Sequence, residues 1–258
     1  MIRRLPWLGL AVLVLAQIGY PLTGGSARAA LTVATVVLGF LLSVGHALLT
    51  RGARTAGALL LVTTGGGLAI EALGVATGVP FGEYAYSGEL GPKLAGVPLV
   101  IPLAWTWMAW PAWLAAVRVT RSAPARIALA AAGLAAWDLF LDPQMVAEGY
   151  WTWVDPDPAL PGVPDVPAGN YLGWLVVAVG MMALLPLVAG PAAQEPRDDA
   201  PMYALYLWTY ASSILAHAVF LDLPASAGWG ALAMAVLAIP LAVTLVRRDE
   251  RRDERQPA

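Results

Sequence analysis

Two acidic residues lie where an apolar chain rarely tolerates them: Glu71 in Leu68-Ala69-Ile70-Glu71-Ala72-Leu73, and Asp138 in Ala136-Trp137-Asp138-Leu139-Phe140-Leu141. An ionisable group near a bilayer centre costs at least about 2.5 to 3.5 kcal/mol, so such a residue reads as functional before it reads as structural. Asp142 follows Asp138 by four residues, which puts both carboxyls on one helix face about 6 Å apart. Desolvation and mutual repulsion keep such a pair from ionising fully at neutral pH and leave a carboxylic acid ready to donate a proton. Glu83 and Asp222 are within reach of the same layer, and His217 precedes Asp222 by one helical turn and a residue. Tyr84, Tyr86, Trp137, Trp151 and Trp153 surround these acids in sequence. Duller readings stand beside these. Asp142 before Pro143 is also a way to end a helix, Asn170 reads as an N-cap of the helix that follows it, and His217 and His46 read as satisfied by a neighbouring carbonyl. Interfacial Trp and Tyr belong to any membrane protein.

The elements that must position these residues follow from composition. Of 258 residues, 59% are hydrophobic and 12% charged, and mean hydropathy is +0.68. A soluble domain carries about 25% charged residues, so this chain lacks the polar groups to cover a folded surface and takes the bilayer as solvent. Eight runs have the length and apolarity of spanning helices, near Leu5 to Leu22, Ala29 to Leu49, Thr55 to Ala76, Val97 to Val117, Arg126 to Leu141, Tyr171 to Val188, Met202 to Leu221 and Trp229 to Val246. The runs are continuous rather than alternating, which selects an all-α polytopic bundle over a barrel. With the amino terminus inside, Arg3, Arg4, Arg51, Arg54, Arg118, Arg121, Arg126, Arg197 and the five arginines after Val246 all fall on the inner side, leaving only Arg28 and Lys93 outside. Basic residues accumulate in short cytoplasmic loops, so both termini are expected inside. Residues 1–246 then form one transmembrane domain and 247–258 a charged cytoplasmic tail. Ala27-Arg28-Ala29 resembles a small-x-small cleavage site; if the first run is a signal peptide, seven spans remain with the same sidedness.

The two long loops, Gly78 to Gly96 and Asp142 to Gly169, share the outer side and are dense in Pro, Gly, aromatics and acids. Each reaches a Gly-Val-Pro, at Gly96 and Gly162, with Glu71 and Asp138 at matching distances upstream. A helix–loop–helix unit repeated at a period near 66 residues is one reading, and coincidence in a Gly-, Ala- and Pro-rich chain is the other. The net charge of −2 gives no electrostatic footprint for nucleic acid. With no cysteine there is no disulfide, iron–sulfur cluster or thiolate zinc site. Asp138 and Asp142 match a magnesium–diphosphate set only superficially, the outer layer has almost no Arg or Lys to hold phosphate, and no metal set or nucleotide loop is visible. A cofactor-free site of buried acids and aromatic rings remains, facing a lipid-soluble substrate.

The residues themselves resemble a family. Pro80-Phe81-Gly82-Glu83-Tyr84-Ala85-Tyr86 with Gly96-Val97-Pro98 and Trp105, then Asp138-Leu139-Phe140-Leu141-Asp142-Pro143, Trp151-Thr152-Trp153, and Val166-Pro167-Ala168-Gly169-Asn170-Tyr171-Leu172-Gly173-Trp174 look like the integral-membrane carotenoid hydratases of the CruF type, which include the bisanhydrobacterioruberin hydratases. The likeness runs from Glu71 to Trp174; the first two and last two runs carry no matching motif. The chain departs from the pattern in repeating Val-Pro, at Val163-Pro164 and Val166-Pro167, before Asn170. The resemblance implies a hydro-lyase in the cell membrane that adds water across the terminal C1–C2 (C1′–C2′) double bond of an acyclic carotenoid end, giving a tertiary alcohol without a cofactor. Its expected partners are carotenoid, water, membrane lipid and other enzymes of the pathway. Asp138, Glu71, Asp142 and Glu83 are the expected catalytic acids and bases. Tyr84, Tyr86, Trp105, Trp137, Trp151, Trp153, Asn170 and His217 are the expected substrate contacts, the aromatic faces among them suited to a tertiary carbocation.

Two other functions fit parts of this pattern. A lycopene-cyclase-like enzyme protonates the same alkene and lets an internal double bond capture the cation. A proton-coupled carrier would use Glu71 and Asp138 as ion sites.

Overall fold

The computed structural model describes residues 4–189 and 198–253. Among the described residues eight helices make the bundle: α1 (Leu5–Leu22), α2 (Gly25–Arg51), α3 (Ala53–Thr77), α4 (Ile101–Val119), α5 (Ala123–Ala147), α6 (Ala168–Ala189), α7 (Ala200–Leu215) and α8 (Pro224–Asp253). Six of them, α1, α2, α3, α5, α6 and α8, are long and apolar enough to cross a membrane. Leu8, Leu15, Leu172, Val176, Leu187, Leu232 and Ile239 are exposed on α1, α6 and α8, as helices bathed in lipid require. The all-α polytopic architecture expected from the apolar runs is therefore what the chain forms. Arg3, Arg197 and residues 254–258 of the expected tail lie outside the described residues, and α8 continues past the expected boundary at 246 to Asp253.

Helix α4 is the hub. It is buried without interruption from Ala104 to Ala116 and packs against α2, α3, α5, α7 and α8. Two prolines inside helices are compensated in the same way. Pro111 in α4 has no N–H for the Trp107 carbonyl, and Ser43 Oγ of α2 donates to that carbonyl at 2.9 Å. Pro143 in α5 likewise frees the Leu139 carbonyl, which accepts from Ser226 Oγ of α8 at 2.6 Å. In a low-dielectric interior each freed carbonyl would otherwise go unmet. A π-helical stretch, Leu60–Gly65, interrupts α3, and there Thr63 and Thr64 both reach the Thr106 hydroxyl of α4.

The long loops are not irregular. Tyr84–Tyr86 (β1) pairs antiparallel with Trp151–Trp153 (β4), in the register Tyr84 to Trp153 and Tyr86 to Trp151. Lys93–Leu94 (β2) pairs with Val97–Pro98 (β3), and Ala159–Leu160 (β5) with Val163–Pro167 (β6). In Tyr-Ala-Tyr and Trp-Thr-Trp the aromatic residues occupy alternate positions, so strand pleating turns the rings to one side and leaves Ala85 and Thr152 exposed on the other. The β1–β4 ribbon lies over one end of the bundle, called here the hairpin end.

This pairing gives the sequence repeat a structural counterpart. Glu71, Gly82 and Tyr84 are each followed 67 residues later by Asp138, Gly149 and Trp151. Gly82 and Gly149 both adopt positive φ, +91° and +72°. The antiparallel register relates β1 and β4 by a local two-fold passing between Ala85 and Thr152. Beyond the ribbons the offset becomes 69: Val97-Pro98 corresponds to Val166-Pro167, both pairs buried, and Trp105 to Trp174. Those two tryptophans stack on each other, centroids 3.8 Å apart and planes 10° from parallel. Val166-Pro167 is thus the counterpart of Val97-Pro98, in place of the Gly162 match expected from sequence.

Candidate active site

Three carboxyls are buried near the hairpin end: Glu71 at 3% exposure, Asp142 at 3% and Asp138 at 0%. Glu71 sits on α3 between two glycines of the same face. A Cβ on Gly67 would lie 2.9 Å from the Trp105 ring, and one on Gly74 would lie 2.8 Å from Tyr84 Oη. The missing side chains let both rings close on the carboxyl between them. Trp105 Nε1 donates to Glu71 Oε1 at 3.0 Å, and Tyr84 and Tyr86 donate their hydroxyls to Oε2 at 2.6 and 2.8 Å. Burial, then the Glu71 charge, pushes both phenols above their ordinary value, so they stay O–H donors.

Asp138 and Asp142 are joined through Asn170. Its Nδ2 donates to Asp138 Oδ2 at 2.8 Å and to Asp142 Oδ2 at 2.5 Å, while Trp151 Nε1 donates to Asp142 Oδ1 at 3.1 Å. Asp138 Oδ1 has no hydrogen-bond partner among the described residues. Two of the duller readings are corrected here. Helix α5 runs through Pro143 to Ala147, because Ser226 takes over the lost backbone bond, so Asp142 is inside the helix and does not end it. Asn170 is the third residue of α6, inside the helix rather than before it, and both its amide bonds go to carboxyls.

Glu71, Asp142 and Asn170 face one cavity walled by α1, α2, α3, α4, α5, α6, α7 and the β1–β4 ribbon. Glu71 and Asp142 are its only acidic lining residues among those described, and no Lys or Arg lines it. Tyr84, Tyr86, Trp105, Trp137, Trp151, Trp153 and Asn170 also line it, as does Trp174. The rings interlock: Tyr84 meets Tyr86 and Trp153 at 5.4 and 5.7 Å, Tyr86 meets Trp151 at 5.5 Å, and Trp137 meets Trp107 at 5.2 Å.

Three expected residues stand apart. Asp138 is behind Asp142 rather than on the cavity wall. Glu83 is exposed, with its carbonyl held by Val154 N at 2.9 Å, because strand alternation turns it opposite to Tyr84. His217 is buried behind the wall, 3.1 Å from the lining residue Gln144 and 2.9 Å from Ser226 Oγ. Since the Ser226 hydroxyl donates to the Leu139 carbonyl, His217 Nδ1 is the donor in that second bond. His46 is held at the opposite end, with Nε2 2.9 Å from the Asp198 carbonyl, and accepts from Trp110 Nε1 at 3.1 Å; the dull reading holds for it. Sequence reasoning missed Gly67, Gly74, Gln144 and the pairing of Trp105 with Trp174. The glycines flanking Glu71 at positions −4 and +3 were the available signal.

Fold and site together define a polytopic helical membrane protein with an acid- and aromatic-lined cavity closed over by paired loops. Residues 31–244 match the family model described as carotenoid biosynthesis protein, and the chain belongs to that family. It is 35% identical over 128 residues to the bisanhydrobacterioruberin hydratase of Haloarcula japonica, a match covering 48% of this chain and 42% of that protein, less than half the length of either. The resemblance drawn from Glu71 to Trp174 is borne out, and the family match extends it through the second run and the last two, where motifs alone gave nothing. No solved structure matches.

Proposed function

We propose that this protein hydrates an acyclic carotenoid end group, adding water across the terminal C1–C2 double bond to give a tertiary alcohol. The observation that carries the reading is a buried aromatic cavity whose acidic lining residues, Glu71 and Asp142, have no Lys or Arg beside them on its wall among the described residues, in a chain similar to a bisanhydrobacterioruberin hydratase. Asp142, holding one proton jointly with the neighbouring Asp138, protonates C2. The double bond's electron pair forms the new C–H bond, and the tertiary cation at C1 is met by the rings of Tyr86, Trp151 and Trp153. Glu71, held by three donors, orients the water that attacks C1 and takes its proton. Exchange of that proton with water resets both acids. Chain and water supply every atom transferred. The same reading makes the chain one transmembrane domain of the cell membrane with both termini inside, fed with substrate by other enzymes of carotenoid synthesis.

The test is expression in a bacterium that accumulates lycopene or γ-carotene, followed by chromatography and mass detection of the pigments. A more polar product heavier by one water is expected. Asp142→Asn and Glu71→Gln should reduce it at least 100-fold at unchanged membrane abundance, and Glu83→Gln should leave it within twofold. An isomer of unchanged mass would replace hydration with cyclisation, and an active Asp142→Asn would remove that residue from the mechanism.

A further inference from the structure

His217, an expected substrate contact, stands behind the cavity wall in a chain of hydrogen bonds whose direction is fixed link by link. The chain starts at the Leu139 carbonyl, which Pro143 leaves without its helical N–H. Ser226 Oγ is 2.6 Å from that oxygen, a separation two oxygens hold only with a proton between them, so the serine hydrogen is spent there. Ser226 Oγ therefore meets His217 Nδ1, 2.9 Å away, as an acceptor, and the imidazole carries its hydrogen on Nδ1. His217 is 1% exposed and neither ring nitrogen faces a carboxylate, so the ring is neutral and Nε2 holds a bare lone pair. The Gln144 carboxamide is 3.1 Å from Nε2. Only the NH2 end of an amide can meet a lone pair, so the Gln144 nitrogen turns to His217 and its oxygen turns the other way. On that other side Tyr20 lies beside the amide, its buried hydroxyl otherwise without a partner among the described residues. A phenol facing an amide oxygen donates to it. Gln144 and Tyr20 both line the cavity.

We propose that His217 is a positioning residue that sets the polarity of Gln144. Backed by Ser226 and the Leu139 carbonyl, it holds the carboxamide oxygen, rather than the nitrogen, towards the cavity and Tyr20, two residues along α5 from Asp142. A carbonyl oxygen has two lone pairs, so one takes the Tyr20 hydrogen and the other is open to a donor in the cavity. The inference rests on the hydratase reading for the identity of that donor, which is water. A water that gives a hydrogen to Gln144 keeps its own lone pair for carbon, whereas an amide N–H turned inward would bind that lone pair.

The chain holds two histidines, His46 and His217, so nitrogen NMR of the full-length protein in detergent, carrying isotope-labelled histidine, resolves both rings. His217→Asn removes one set of signals and assigns it, and couplings to the ring C–H hydrogens tell Nδ1 from Nε2. The expected His217 signature is a proton on Nδ1 and none on Nε2. Ser226→Ala deletes the acceptor and should move the proton to Nε2, turn the amide round and lower turnover at least fivefold; Ser226→Thr keeps the hydroxyl and should restore both readouts. Gln144→Leu deletes both ends of the amide and should lower turnover by a similar factor while the proton stays on Nδ1. Wild-type protein with the His217 proton on Nε2, or on both nitrogens, would overturn the inference, and that measurement needs neither a variant nor a substrate. The expected signature with turnover within twofold of wild type in Ser226→Ala and Gln144→Leu would overturn the positioning role. Wild-type protein that forms no hydrated product would instead overturn the hydratase reading, and the NMR alone then decides which way Gln144 is held.

Discussion

Gly74→Ala tests how Glu71 is held. The added methyl would sit 2.8 Å from Tyr84 Oη, 3.0 Å from Phe81 Cδ2 and 3.3 Å from Tyr84 Cε1. Relief to ordinary contact moves the phenol by roughly 0.6 Å, enough to spoil its 2.6 Å bond to Glu71 Oε2. A hydrogen bond to a charged group is worth about 1.5–3 kcal/mol, so kcat/KM should fall roughly 10- to 100-fold. Stability moves less. Overpacking costs about 1–3 kcal/mol, and replacing a helical glycine by alanine returns about 1 kcal/mol. The decisive assay is a double-mutant cycle with Tyr84→Phe. That variant deletes the same bond and removes the nearest of the atoms the methyl strikes, so adding Gly74→Ala to it should cost less than threefold more in turnover, a coupling of about 1–2 kcal/mol. Equal, additive losses in the two backgrounds, or a Gly74→Ala variant with wild-type turnover, would refute the account of Gly74 as the seat of Tyr84.

Ser43→Ala and Ser226→Ala each leave a proline-freed carbonyl unmet, at Trp107 and Leu139. Each should lower stability by about 1–2 kcal/mol in a thermal melt in detergent. Tyr84 and Tyr86 keep their protons above the ordinary phenol range while the unfolded chain releases them near pH 10, so these two residues favour the folded state below that pH, and the advantage is lost as pH rises from there through their raised folded values. Tyrosinate absorbance of the folded protein near pH 10.5 should therefore be unchanged by the double substitution to Phe; a drop would show that both phenols ionise normally.

The bundle was legible because spanning helices need only continuous apolar length, and runs such as Ala29 to Leu49 supply it without tertiary help. The same physics exposed Glu71 and Asp138 as costly and hence purposeful. What stayed hidden depends on distant partners. Nothing local announces that Tyr-Ala-Tyr and Trp-Thr-Trp pair across 67 residues, since three-residue strands carry almost no intrinsic preference. Asp142 before Pro143 read equally as a helix end, because the residue that rescues the helix, Ser226, is on another element. Asn170 stood next to a helix start, and its role became visible only once α5 and α6 were side by side.

The repeat explains why one site holds acids in two different settings. Glu71 and Asp138 occupy equivalent positions of related helix–loop–helix units, and the units meet at their ribbons and at the Trp105–Trp174 stack. If the equivalence were complete, both carboxyls would face the cavity with equal support and no division of labour. Three departures break it. The second unit has Trp151 where the first has Tyr84, so its ring donates an N–H, and it does so one helical turn away, to Asp142 rather than to Asp138. Asn170 stands where the first unit has Ile101 and adds an amide that bridges two carboxyls. The first unit has Val75 where the second has Asp142, so Glu71 is alone on its helix and collects three donors for itself. A lone carboxyl with three donors suits a carboxylate, and two adjacent buried carboxyls, which repel each other as anions, suit a shared proton. The proposed base thus stands at the repeated position, and the proposed acid is the aspartate that the second unit adds one turn beyond it. Asp142→Val restores the symmetric arrangement and should abolish proton delivery while leaving carotenoid binding within threefold of wild type by fluorescence quenching; retained hydration in that variant would assign the donor elsewhere.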